Sequence, residues 1–160
     1  MPPISRRHML GTAAALLAGG LAACGGSGDD ATPPRTTLLV YLLGSNLESM
    51  GNAGTTNLLE MLAAQGSAYT RVIITTGGAD KRDPGGLVSS WKTVKRFELA
   101  NGALKELADL GARDMDSSDT LQDFLTWGVR TYPAERTMLA LWDHGSGYYG
   151  YGGDENYPGE

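Results

Sequence analysis

Three uninterrupted apolar runs constrain this chain more than any other feature: Thr37 to Leu43 (TLLVYLL), Arg71 to Thr76 (RVIITT) and Thr137 to Trp142 (TMLALW). They are short, rich in β-branched and aromatic residues, and show no alternation with polar residues. That pattern belongs to strands covered on both faces, as in a parallel sheet. Parallel strands need long crossovers. The spacing supplies them, with a helix expected over roughly Thr55 to Gln65, closed by Gly66, and another following the Ser117-Ser118-Asp119 cap cluster up to Pro133. Leu58, Leu59, Met61 and Leu62 mark the inner face of the first helix. Leu121, Phe124, Leu125 and Val129 mark that of the second. Between the second and third runs, Trp91 to Leu99 alternates. Asn101-Gly102 then makes a hairpin turn, so Ala103 to Leu110 reads as the returning strand, although its composition also suits a short helix. The expected class is α/β, a parallel sheet with helices on both faces.

In such sheets the site lies beyond the carboxyl ends of the strands. Two of those ends carry chemistry. Gly44-Ser45-Asn46 follows the first run, where a turn is expected. Asp143-His144-Gly145-Ser146-Gly147 follows the third. His144 is the only histidine after His8, and it sits among glycines where the backbone can approach a ligand closely.

The first 36 residues belong to transport rather than to the fold. Arg6 and Arg7 precede a modestly apolar stretch, Met9 to Ala23, too short to span a bilayer, which takes ~20 residues. Charged start, apolar middle and small-residue end describe a signal peptide over 1–23, and the paired arginines resemble a twin-arginine signal. The run closes on Leu21-Ala22-Ala23-Cys24, which resembles a bacterial lipobox. Cys24 is then the lipidation site, and 24–36 is a Gly/Ser/Pro tether. The expected location is outside the cytoplasm, held to a membrane by lipid on Cys24. As the only cysteine of the chain, Cys24 rules out an internal disulfide and a two-cysteine metal centre. Of the chain's 13 basic side chains Arg6 and Arg7 leave with the signal, so 11 face 18 acids, a formal charge of −7. An acidic surface of this kind does not suit nucleic acid as a partner.

The block from Tyr132-Pro133-Ala134-Glu135-Arg136 through Leu141-Trp142-Asp143-His144-Gly145-Ser146-Gly147 resembles the catalytic-histidine region of the clostripain family of cysteine peptidases. Tyr41 to Glu48 resembles that family's first strand and loop. Leu58 to Met61 and Asp119 to Leu125 resemble its intervening helices. The resemblance covers residues 37 to 155 and implies the N-terminal part of a caspase-like domain over 37–160. It also implies cleavage after arginine or lysine in peptide or protein substrates, with no cofactor required. By the same resemblance His144 carries protons, the Gly145 amide faces the oxyanion, and Asn46 or Asp143 orients the imidazole. For Asn46 a turn or cap role, and for Asp143 a structural loop role, stand as the alternatives. The family's nucleophile follows the next strand in an Asp-Ala-Cys motif, and its acidic pocket residues also lie downstream. The chain ends at Glu160 before either, so it holds half of the dyad and is expected to be inactive alone. A non-catalytic lipoprotein with the same fold is the second reading. A metal hydrolase built on His144 with Asp143, Asp154 or Glu155 is a third, with calcium as a weak candidate ion.

Overall fold

The computed structural model describes residues 35–158 apart from Gln65 and Ser146. The twin-arginine pair Arg6 and Arg7, the lipobox Cys24 and nearly all of the tether lie outside the described residues. Among the described residues, no helix is long and apolar enough to cross a membrane.

A five-stranded mixed sheet forms the frame. In chain order the elements are β1 (Thr36–Leu43), α1 (Ser45–Gly51), α2 (Ala53–Ala63), β2 (Thr70–Gly77), β3 (Lys95–Ala100), β4 (Ala103–Asp109), α3 (Ser118–Thr131) and β5 (Arg136–Trp142). The spatial order is β4-β3-β2-β1-β5. β1 runs parallel to β2 with Leu39 opposite Ile73, and parallel to β5 with Leu42 opposite Trp142. β3 and β4 form the antiparallel hairpin expected from Asn101-Gly102, and β3 adds antiparallel to β2. The sheet is therefore mixed rather than wholly parallel. The hairpin needs no crossover, so it simply extends the β2 edge.

Alternation along β1 sorts the core into two layers. Val40 and Leu42 meet Ile74, Phe97 and Leu58 of α2, with Trp91 filling the same layer. Leu39, Tyr41 and Leu43 meet Ile73 and Phe124 of α3 on the other face. Each fully buried aliphatic side chain contributes on the order of 1.5–3 kcal/mol. The helices thus cover opposite faces, as the α/β class requires. Ser117 caps α3 through its side chain, which accepts from the Asp119 N–H at 3.3 Å.

Three expectations are corrected. The turn after β1 is shorter than expected, with the left-handed Ser45 (φ +44°) already opening α1 and Asn46 lying within the helix. α2 stops at Ala63, before Gly66. Leu59 and Val129, placed on inner faces by periodicity, are exposed, as are Met138, Leu139 and Leu141 of β5. The last three share one cause: among the described residues β5 has a neighbour on one side only.

Candidate active site

Since β1, β2 and β5 are parallel, their carboxyl ends reach one edge of the sheet. The segments gathered there are α1 after β1, the 78–94 loop after β2, and the 143–158 loop after β5.

Two of the contacts between α1 and the β5 loop use consecutive residues on each side. Asn46 Oδ1 lies 2.8 Å from His144 Nε2. Ser45 Oγ donates to Asp143 Oδ1 at 2.6 Å. Asp143 Oδ1 also accepts from the His144 N–H at 2.6 Å, and its Oδ2 from the Gly153 N–H at 3.2 Å. Of the two residues considered for orienting the imidazole, Asn46 touches the ring. Asp143 touches only its backbone and acts as a staple of the loop. A carboxamide oxygen can only accept, so it favours the neutral ring protonated on Nε2. Nδ1 is then the basic nitrogen, and the ring is exposed at the surface.

The loop is folded back on itself to hold this arrangement. The Gly152 N–H donates to the His144 carbonyl at 3.0 Å, and Gly145 bridges Tyr151. Gly152 has φ +69°, and a Cβ there would lie 2.7 Å from Asp143 Oδ2 and 3.1 Å from Leu43. Only glycine fits. The Tyr151 hydroxyl sits between the carbonyls of Trp142 (2.9 Å) and Tyr41 (3.1 Å), pinning the loop to the ends of β5 and β1. Burial, then the nearby Asp143 charge, pushes the Tyr151 phenol well above its ordinary range. Burial does the same for Tyr41, whose hydroxyl donates to the Met115 carbonyl at 2.8 Å.

Asp154 and Glu155, named above with Asp143 as metal ligands, are engaged elsewhere. Asp154 is buried and accepts from the Met115 N–H at 2.9 Å and the Asn156 N–H at 2.8 Å. Glu155 accepts from Ser49 Oγ at 3.0 Å and the Asp80 N–H at 2.8 Å. Among the described residues no three His, Cys, Asp or Glu side chains converge as a metal site would need.

Gly145 is exposed next to His144. Sequence reasoning missed Ser45, Tyr151 and Gly152. The signal for Ser45 was present in the paired Ser-Asn and Asp-His dipeptides at the ends of neighbouring strands. Nothing in the Gly/Tyr-rich tail singled out Gly152 from the glycines around it.

A model of the clostripain family matches residues 40–157. No curated protein matches the chain. Several solved structures are similar. A Bacteroides fragilis cysteine protease shares 14% identity at a TM-score of 0.53, over 71% of this chain and 92% of that one. A clostripain from Bacteroides thetaiotaomicron, in complex with the peptide inhibitor BTN-VLTK-AOMK, shares 22% at 0.53, over 72% and 95%. A secreted C11 cysteine protease from B. thetaiotaomicron, in complex with an irreversible peptide inhibitor, shares 19% at 0.56, over 77% of this chain but only 34% of that one. At these identities the likeness is one of fold.

Proposed function

The chain belongs to the clostripain family, and from that premise we propose that it forms the histidine half of an exported, lipid-anchored cysteine endopeptidase acting after basic residues. The 2.8 Å contact between Asn46 and His144 carries the reading. It places an oriented imidazole at the sheet edge where an α/β fold builds its site.

The chemistry follows from groups of known capability. A thiolate on a segment beyond this chain attacks the scissile carbonyl, and the carbonyl π electrons move onto oxygen. The Gly145 N–H is one donor to that oxyanion. Collapse expels the amine, which takes its proton from the imidazolium of His144 at Nδ1. In the second half the same nitrogen removes a proton from water as it attacks the acyl-enzyme. Asn46 holds the ring and its tautomer through both steps, much as the third member of a triad does. Among the described residues β5 is an edge strand beside β1, which would accommodate the strand carrying the nucleophile. Preference for basic residues is supported by the family and by the VLTK peptide in the inhibitor bound to the B. thetaiotaomicron clostripain, which ends in lysine. Anchoring rests on Cys24 and export on Arg6 and Arg7.

The test uses a longer chain that includes the nucleophile. His144→Ala should reduce hydrolysis of an arginyl amide by about 10²–10⁴-fold or more, because both proton transfers lose their carrier. Asn46→Ala should cost roughly tenfold in kcat, the worth of one hydrogen bond. Retention of near-normal turnover by the His144 variant would exclude the assignment. A serine or glycine in place of the downstream cysteine would favour the non-catalytic relative.

A further inference from the structure

Glu48 is a carboxylate with no solvent exposure, two residues beyond Asn46 on α1. Its Oε2 accepts from the Thr55 N–H at 2.8 Å and its Oε1 from Thr55 Oγ1 at 2.7 Å. Oε1 also pairs with Lys81 Nζ. Lys81 donates in turn to Asn52 Oδ1 at 2.7 Å. Asn52, at φ +54°, is the residue on which the chain turns from α1 into α2. One carboxylate thereby links α1, the first turn of α2 and the loop after β2.

Ser45 and Ser49 tie α1 to the 143–158 loop, through Asp143 and Glu155, and Glu48 ties it to α2 and the loop after β2. α1 has only seven residues and no side-chain cap, too few to be stable alone. Its fully buried side chains are Ser45 and Glu48, so no fully buried apolar residue seats it against the sheet. Beneath it the fit is tight. A Cβ on Gly44 would meet the Trp91 indole at 2.9 Å and Glu48 Cβ at 3.0 Å. A Cβ on Gly54 would meet the indole at 2.9 Å and Glu48 Oε2 at 3.1 Å. Burying a charge is costly unless it is paired and fully hydrogen-bonded, and an apolar pair would often hold the fold as well. What the ion pair adds is direction: its donors hold the carboxylate in one place, and Asn46 lies half a turn away.

We propose that Glu48, held by Lys81 and Thr55, is the positioning residue that sets the Asn46 carboxamide against His144 Nε2. The proposal rests on the reading of His144 as proton carrier only for its consequence in catalysis. The placement itself is measurable in this chain without substrate.

The experiment records nitrogen NMR of the histidine-labelled 160-residue chain at a pH where the rings are neutral. The quantity read is the ratio of Nε2–H to Nδ1–H tautomers of His144. The Asn46→Ala variant supplies the ratio with the bond absent. Glu48→Gln and Lys81→Met should each lower the wild-type ratio about threefold or more, most of the way to that reference. Lys81→Arg, which keeps the charge, should restore it. In the Asn46→Ala background Glu48→Gln should change nothing further. A wild-type ratio equal to that of Asn46→Ala would overturn the proposal. So would Glu48→Gln and Lys81→Met proteins that fold, by near-ultraviolet circular dichroism, with an unchanged ratio. Loss of the fold in both would make Glu48 a stability residue and would equally overturn it. Failure of the peptidase reading shows separately, as turnover surviving His144→Ala in the longer chain.

Discussion

Gly152→Ala is the most direct challenge to the latch that carries His144. At φ +69° an alanine pays the left-handed penalty, ~1–2 kcal/mol. Its Cβ would also lie 2.7 Å from Asp143 Oδ2, a contact that must open. Asp143 cannot yield freely, because it accepts from Ser45 Oγ at 2.6 Å and from the His144 and Gly153 N–H groups. Overpacking of this kind costs ~1–3 kcal/mol. The two terms together give roughly 2–5 kcal/mol. The loop can release locally before the sheet unfolds, so the measured loss should fall in the lower part, about 2–4 kcal/mol. Gly153→Ala is the matched control, since a Cβ there meets nothing within 4 Å. It should stay within about 0.5 kcal/mol of wild type. Urea titration followed by tryptophan fluorescence reads both, because Trp142 ends the strand that feeds the loop. A Gly152→Ala protein within about 0.5 kcal/mol of wild type, or a Gly153→Ala protein equally damaged, would refute the latch.

Alkaline titration should separate the tyrosines. Tyr41 and Tyr151, raised first by burial, should give phenolate absorbance only as the chain unfolds. With folded values above unfolded ones, their stabilisation is complete below about pH 10 and lost as pH rises. A single early phase for all seven tyrosines would contradict their burial. On the acid side, burial alone would raise Asp109, but the hydrogen bonds from Lys95 and the Gly111 N–H outweigh it and depress the carboxyl. Its contribution is present above the unfolded pKa and fades as pH falls through the folded value. Asp109→Asn should therefore flatten the acid limb of urea midpoint against pH, and an unchanged slope would count against the pair. For export, Arg6→Lys with Arg7→Lys should block processing, and Cys24→Ala should abolish lipid labelling. Normal labelling of the cysteine variant would remove the anchor.

Period and punctuation made most of the frame legible. The three apolar runs became β1, β2 and β5 within a residue or so, Asn101-Gly102 became the hairpin turn, and Ser117 became a cap. Sheet order was harder to read, because nothing local says that the hairpin joins β2 rather than standing apart. α1 escaped notice for a related reason. Ser45 to Gly51 has no apolar periodicity, being seated by Glu48 and Ser45 instead of by a greasy face. Asn46 could be placed near His144 from strand ends alone. Choosing it over Asp143 needed coordinates, since both carry oxygen acceptors and differ only in which atom of His144 they reach.

The two contacts joining Ser45-Asn46 to Asp143-His144 also make the site a gauge of strand alignment. β1 and β5 meet with Leu42 opposite Trp142. Sliding either strand by one residue turns its side chains to the opposite face. The same slip moves the β5 loop by ~3.3 Å relative to α1. That is longer than either hydrogen bond, so a misaligned sheet breaks both at once. A folded but shifted chain would expose a histidine with no partner and therefore no chosen tautomer. Correct alignment of the two strands and a partnered His144 ring are thus one event, and a chain caught part-way through folding cannot present the oriented imidazole that the proposed chemistry needs.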